Sequence, residues 1–262
     1  MDPTAATRYR EVMAVEVPES LSATEQEELE HRFGQVWARE ALGRRERRLV
    51  TFACVAFAVT PEPISEQAYA ALKTGDFTID EMLEVVLHFA VYCGWPKASN
   101  FEMHVRRAWA RVQEERGEDP RPLPSRPNDD DELGSSNWEE RVERGAEEFR
   151  DVNLLPAPPP DSPYQHAGIL NFVFGHVWQR PGLGRRDRRF LTVACVGVCE
   201  APLPIASHVG SALTSGDISQ AEMSELILQF RAYDNDRRAD ALEAAVANTG
   251  SEHDPLKGLA GR

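Results

Sequence analysis

Long apolar runs are missing from this 262-residue chain. Nowhere does it hold the ~20 uninterrupted apolar residues of a membrane span, so no membrane is expected as a partner. Its first residues, Met1-Asp2-Pro3, lack a basic stretch leading into an apolar core, and the expectation is a chain without a secretory leader. Cysteine is scarce: Cys54, Cys93, Cys195 and Cys199 include no C-x-x-C spacing. So few thiols in so long a chain make no disulfide framework, which points to a reducing, cytoplasmic compartment. Positive charge is also short, with 29 Lys and Arg against 43 Asp and Glu and a net charge of -14. Such a surface repels phosphate backbones and anionic headgroups, so nucleic acid is excluded as an expected partner. The seven histidines show no H-x-x-x-H spacing or carboxylate cluster, and no metal site is expected. What is present in quantity is apolar side chain, 42% of the residues, enough for a packed core.

The chain repeats itself. A shift of 141 residues superimposes its halves without a gap. Phe33-Gly34-Gln35-Val36-Trp37 meets Phe174-Gly175-His176-Val177-Trp178, and Leu42-Gly43-Arg44-Arg45-Glu46-Arg47-Arg48 meets Leu183-Gly184-Arg185-Arg186-Asp187-Arg188-Arg189. Pro61, Pro63 and Ile64 recur as Pro202, Pro204 and Ile205, and Glu84 and Tyr92 recur as Glu225 and Tyr233. Nearly half of the positions between 33 and 92 are identical to their counterparts. The expected organisation is copy one at 1–118, an acidic Pro/Ser linker at 119–136, copy two at 137–249 and a frayed tail at 250–262.

Within copy one the periodicity predicts helices and no strands. Leu29, Phe33, Val36 and Trp37 share a face over 24–38. Residues 44–59 begin with arginines and end apolar, and Pro61 and Pro63 break that helix. A helix over 64–73 ends at Gly75. Thr78 and Glu81 have capping-box spacing before Met82, Val85, Val86, Phe89 and Tyr92, and Gly94 and Pro96 stop that helix. Phe101, Val105, Trp109 and Val112 mark a last helix over 97–114. The expected class is all-α, with two tandem homologous helical bundles.

The order Leu-x-x-Arg-x-Arg, apolar helix, His-x-x-x-Ala-Leu-x-x-Gly, Glu-x-x-Glu and Tyr-x-Gly-x-Pro resembles the carboxymuconolactone decarboxylase family, within the alkylhydroperoxidase-D-like superfamily. Copy one keeps Tyr92-Cys93-Gly94-Trp95-Pro96, and copy two keeps His208, Ala212-Leu213 and Gly216. Each copy departs where the other is intact: Gln67 replaces the histidine in copy one, and Tyr233-Asp234-Asn235-Asp236 replaces the Gly-x-Pro end in copy two. The thiol peroxidase branch uses a C-x-x-C pair before its histidine. Ala201 and Pro204 occupy those places before His208, which argues against that activity.

The resemblance implies a cofactor-free lyase on a small anionic, unsaturated lactone or related acid, with the lactone carbonyl as electron sink and His208 as general acid/base. It also implies a homo-oligomer, three two-domain chains standing for six single-domain subunits. Arginines recurring at 44, 45, 47, 48 and 185, 186, 188, 189 are candidates to bind a carboxylate, Arg48 and Arg189 first because they adjoin the buried half of their helix. Their spread around the helix means most should instead form ion pairs with Glu46, Asp187 or a neighbour. Glu84 and Glu225 are candidates to orient a histidine or arginine, against the plainer reading of solvated glutamates. Tyr92 and Trp95 are candidate pocket walls, against ordinary core packing, and His88 reads as structural. Two other functions stay open: a tailoring enzyme that cyclises, isomerises or decarboxylates a secondary metabolite, and a non-catalytic binding or scaffold protein.

Overall fold

The computed structural model describes residues 2–119 and 137–257. The linker's 120–136 and the last residues, 258–262, lie outside that description. The described residues are helical throughout, without strands, and no helix among them is long and apolar enough to cross a membrane.

Copy one contains α1 (Pro3–Met13), α2 (Ala23–Leu29) running on as a π-helical segment (Glu30–Val36), α3 (Arg44–Ala58), α4 (Pro61–Thr74), α5 (Ile79–Cys93) and α6 (Trp95–Glu115). Copy two repeats this as α7 (Trp138–Asn153), a π-helical segment (Tyr164–Phe174), a short 3-10 turn (Val177–Gln179), α8 (Arg185–Val198), α9 (Pro202–Ser215), α10 (Gln220–Tyr233) and α11 (Asp236–Asn248). The expected helix over 24–38 changes pitch midway: Trp37 N donates to Arg32 O at 2.8 Å, a bond five residues back. The prolines at 61 and 63 open α4 as well as closing α3, and Pro96 opens α6, because a missing N–H does no harm in a first helical turn. Both capping boxes form, Thr78 with Glu81 and Ser219 with Glu222.

The periodicity missed α1 and α7. Both end on a residue in left-handed backbone, Ala14 and Leu154. Gly145 lets α7 lie directly on the second π-helical segment, since a Cβ there would stand 1.7 Å from Leu170 O.

The copies are not separately cored. α3 packs on α8, α5 on α8 and α10 on α3, so an approximate two-fold axis passes between the arginine-led helices. One apolar cluster holds Leu49, Phe52 and Phe89 together with Phe190, Leu191 and Phe230. The tail is also ordered further than expected, with turns from Ser251 to Lys257 that return Leu256 to the body of copy two.

Candidate active site

The pseudo-symmetry creates two equivalent places for a pocket, each made of one copy plus a tyrosine from the other. Around His208 lies a cavity of about 640 Å³, walled by Phe149, Ile169, Val173, Phe174, Val196 and Leu203, with Tyr92 reaching in from copy one. Around Gln67 the equivalent space is about 200 Å³, bounded by Tyr9, Met13, Phe33 and Tyr233. The pocket therefore forms within a single chain, between its copies.

At its base three rings meet. Trp178 Nε1 donates to Tyr92 Oη at 2.9 Å, and the phenol also hydrogen-bonds the Thr192 hydroxyl. The His208 ring stands edge-on to Tyr92 at 5.5 Å and lies parallel to Trp178 at 6.3 Å. The copy-one pair is the same, Trp37 Nε1 donating to Tyr233 Oη at 2.8 Å. What differs is the residue above it. Gln67 is committed internally: its Oε1 accepts from Arg48 at 2.7 Å and its Nε2 faces Met13 Sδ at 3.4 Å. In copy two Ser211 stands where copy one has Ala70, and Ser211 Oγ takes the Arg189 Nη1 bond at 2.9 Å. His208 is thereby released. It is buried, and its Nδ1 has no hydrogen-bond partner.

Burial, and secondarily the Arg189 charge, push His208 down to about 3, so its imidazole is neutral around pH 7. Burial raises the Tyr92 phenol, which stays protonated. In the unfolded chain His208 takes up a proton near its ordinary value, while in the fold it resists until about 3. Stability from this group is therefore complete above the ordinary histidine pKa and is lost as pH falls towards the folded value. His88, also pushed down by burial, acts in the same direction. Melting temperature is expected to fall on acidification less steeply in His208→Gln than in the native chain. Equal slopes from neutral pH down to about 4 would remove the assignment.

The other expected site residues lie elsewhere. Arg189 is fully buried, Nε on Asp217 at 2.8 Å, Nη1 on Ser211 and Nη2 on the Val152 carbonyl. Arg48 is held likewise by Asp76, Gln67 and the Val12 carbonyl. Neither guanidinium lines the cavity. Each sits behind its tryptophan, 5.7 Å from Trp178 and 5.2 Å from Trp37, because the helix turn that carries it is interior.

Glu84 and Glu225 are buried and not solvated. Glu84 grips Arg180 with both oxygens, the shortest contact 2.6 Å, and lies 3.6 Å from Arg188. Glu225 pairs with Arg39 at 2.6 Å and Arg47 at 3.0 Å. These triads orient arginines at the junction of the copies, away from the cavity. Arg45 meets Asp187 and Arg186 meets Glu46, as the charge pattern anticipated. Trp95 is 56% exposed beside Phe172, outside the pocket.

Sequence reasoning also missed residues. Asn153, Tyr164, Gln165 and Ser207 supply the cavity's remaining polar groups, and Gln165 Oε1 has no partner. Ser211 was the available signal, since it breaks the repeat beside the histidine. Among the described residues the cavity wall carries no charged side chain. Two thiols 106 residues apart in sequence also meet, with Cys199 Sγ 3.7 Å from Cys93 Sγ.

Comparison with known proteins agrees with this architecture. The model of the carboxymuconolactone decarboxylase family matches residues 29–108, from the first π-helical segment into α6. Those residues are similar to the carboxymuconolactone decarboxylase family. The nitrosuccinic acid decarboxylase of Metarhizium robertsii is 33% identical over 86 residues, 33% of this chain and 59% of that protein. The 4-carboxymuconolactone decarboxylase of Acinetobacter baylyi is 37% identical over 73 residues, 28% of this chain and 53% of that protein. The chain thus spans little more than half the length of either relative. The matched stretch ends at Ala108 and includes Gln67 and Tyr92, whereas His208 belongs to the second, internally repeated copy.

Proposed function

We propose that the chain is a cofactor-free lyase that removes carbon dioxide from an unsaturated lactone acid or related oxo acid, with His208 as the proton-transfer group. The observation that carries this reading is that His208 lines a large cavity beside the Tyr92 phenol while its buried Nδ1 has no hydrogen-bond partner. The matched relatives support the reaction class, since both are named as decarboxylases.

The chemistry follows from the electrostatics. His208 is neutral because burial disfavours the imidazolium and the Arg189 charge opposes it further. A bound carboxylate supplies the missing negative charge and draws a proton from solution onto the ring. Loss of carbon dioxide leaves an electron pair that delocalises into the conjugated carbonyl. Tyr92 Oη–H donates a hydrogen bond to that developing oxyanion. The imidazolium then protonates carbon and returns to its neutral form.

The uncharged wall favours a second reading on the same fold, a tailoring enzyme acting on a bulky aromatic acid. A volume of about 640 Å³ suits such a substrate. A panel of 4-carboxymuconolactone, nitrosuccinate and coumarin-3-carboxylate separates the two by carbon dioxide release and by calorimetry in buffers of different ionisation enthalpy. Binding at about pH 7 is expected to take up close to one proton, and Tyr92→Phe is expected to lower kcat by ~10²-fold with little change in KM. Turnover of the small acids supports the first reading, and turnover of the coumarin alone supports the second. Silence across the panel returns weight to a non-catalytic binding protein.

A further inference from the structure

Cys93 and Cys199 stand 106 residues apart in the chain and come from different copies. Cys93 is the last residue of α5, and Cys199 caps α8. Cys199 Sγ approaches Cys93 Sγ at 3.7 Å and the Tyr92 carbonyl oxygen at 3.4 Å. Cys199 lines the His208 cavity. Cys54 and Cys195 are buried, whereas Cys93 and Cys199 are partly accessible.

The repeat makes this pairing informative. Where copy one contributes Cys93, copy two has Asp234, and where copy two contributes Cys199, copy one has Ala58. Cys199 therefore lines the large cavity with Cys93 against it, and the smaller Gln67 pocket has no thiol. Both sit at helix ends, where a shift of about 1.7 Å to bonding distance requires no break in a helix interior.

We propose that Cys93 and Cys199 are an oxidation site, converted by a hydroperoxide entering the His208 cavity into a disulfide that joins the two copies. The Cys199 sulfur attacks the peroxide, breaking the O–O bond, forming a sulfenic acid and releasing an alcohol. The Cys93 sulfur then displaces water from that sulfenic acid to form the S–S bond. Two thiol hydrogens and two electrons leave the protein, and the hydroperoxide is reduced to alcohol and water. Contact with Cys195 and burial push the Cys93 thiol up, and contact with Cys93 and burial push the Cys199 thiol up, so both rest protonated. Lys97 acts the other way on both sulfurs without outweighing these effects, so attack is faster at higher pH. Because Tyr92 adjoins Cys93 and its carbonyl faces Cys199, forming the bond also displaces a wall of the cavity.

The test uses the full chain and tert-butyl hydroperoxide, followed by alkylation and non-reduced peptide mapping. The expected result is one linked pair, Cys93 with Cys199, reversed by dithiothreitol and formed faster at about pH 8.5 than at about pH 7. In Cys93→Ser the reaction should stop at a Cys199 sulfenic acid that dimedone captures, while Cys54→Ser should leave the linkage unchanged. Four alkylatable thiols after treatment, or a linkage through Cys54 or Cys195, would overturn the proposal. Bond formation is read by mass alone, so its failure is separable from failure of the lyase reading.

Discussion

His208→Gln is expected to lower kcat by ~10²–10⁴-fold on any substrate the native chain turns over, without loss of fold. Glutamine already occupies the equivalent place in copy one, where Gln67 accepts from Arg48 at 2.7 Å. A glutamine at 208 finds Arg189 in the corresponding position, and the buried, unpartnered imidazole nitrogen disappears with the exchange. Removing an unsatisfied buried polar atom does not lower stability, so the melting temperature should hold or rise. Loss of a proton carrier thus separates from loss of structure in one variant. Steady-state kinetics and calorimetry on the same preparation decide it: retained turnover removes His208 from the chemistry, and a collapsed melting temperature makes it structural.

Glu84→Ala is expected to be the most destabilising single truncation at the junction of the copies, by about 3–5 kcal/mol. Arg180 and Arg188 are 6% and 0% exposed and share this carboxylate. Removing it takes the shared carboxylate from both groups, and the Arg188 guanidinium is fully buried. In the matching triad Arg39 has a half-exposed side chain and can turn to water, so Glu225→Ala should destabilise less. For a chain of this size the first variant should melt roughly 10 °C lower. Equal losses in both variants would show that burial of the arginines is not what sets the effect.

Much of the fold was legible because the repeat supplied two readings of every helix. Capping boxes, prolines and apolar stripes fix element type locally, so α3 to α6 and their counterparts could be placed from residues alone. α1 and α7 escaped because their apolar positions are few against many charges, and their helicity depends on docking onto π-helical segments. The arginine clusters were visible, but their direction was not. A helix start that looks exposed in sequence is interior once α3 packs on α8, which turned two expected substrate ligands into buried supports for tryptophans.

Sequence by itself determined the all-helical class, the duplication and the exchange of His208 for Gln67, since these rest on residue type and order. Tertiary structure decided that one pocket is large and the other small, and that each borrows its tyrosine from the other copy. It also decided that Ser211 frees His208 and that two distant thiols meet. All of these depend on separations of a few ångströms between residues about a hundred positions apart. Local periodicity carries no information about such distances; only the packing of one copy against the other sets them.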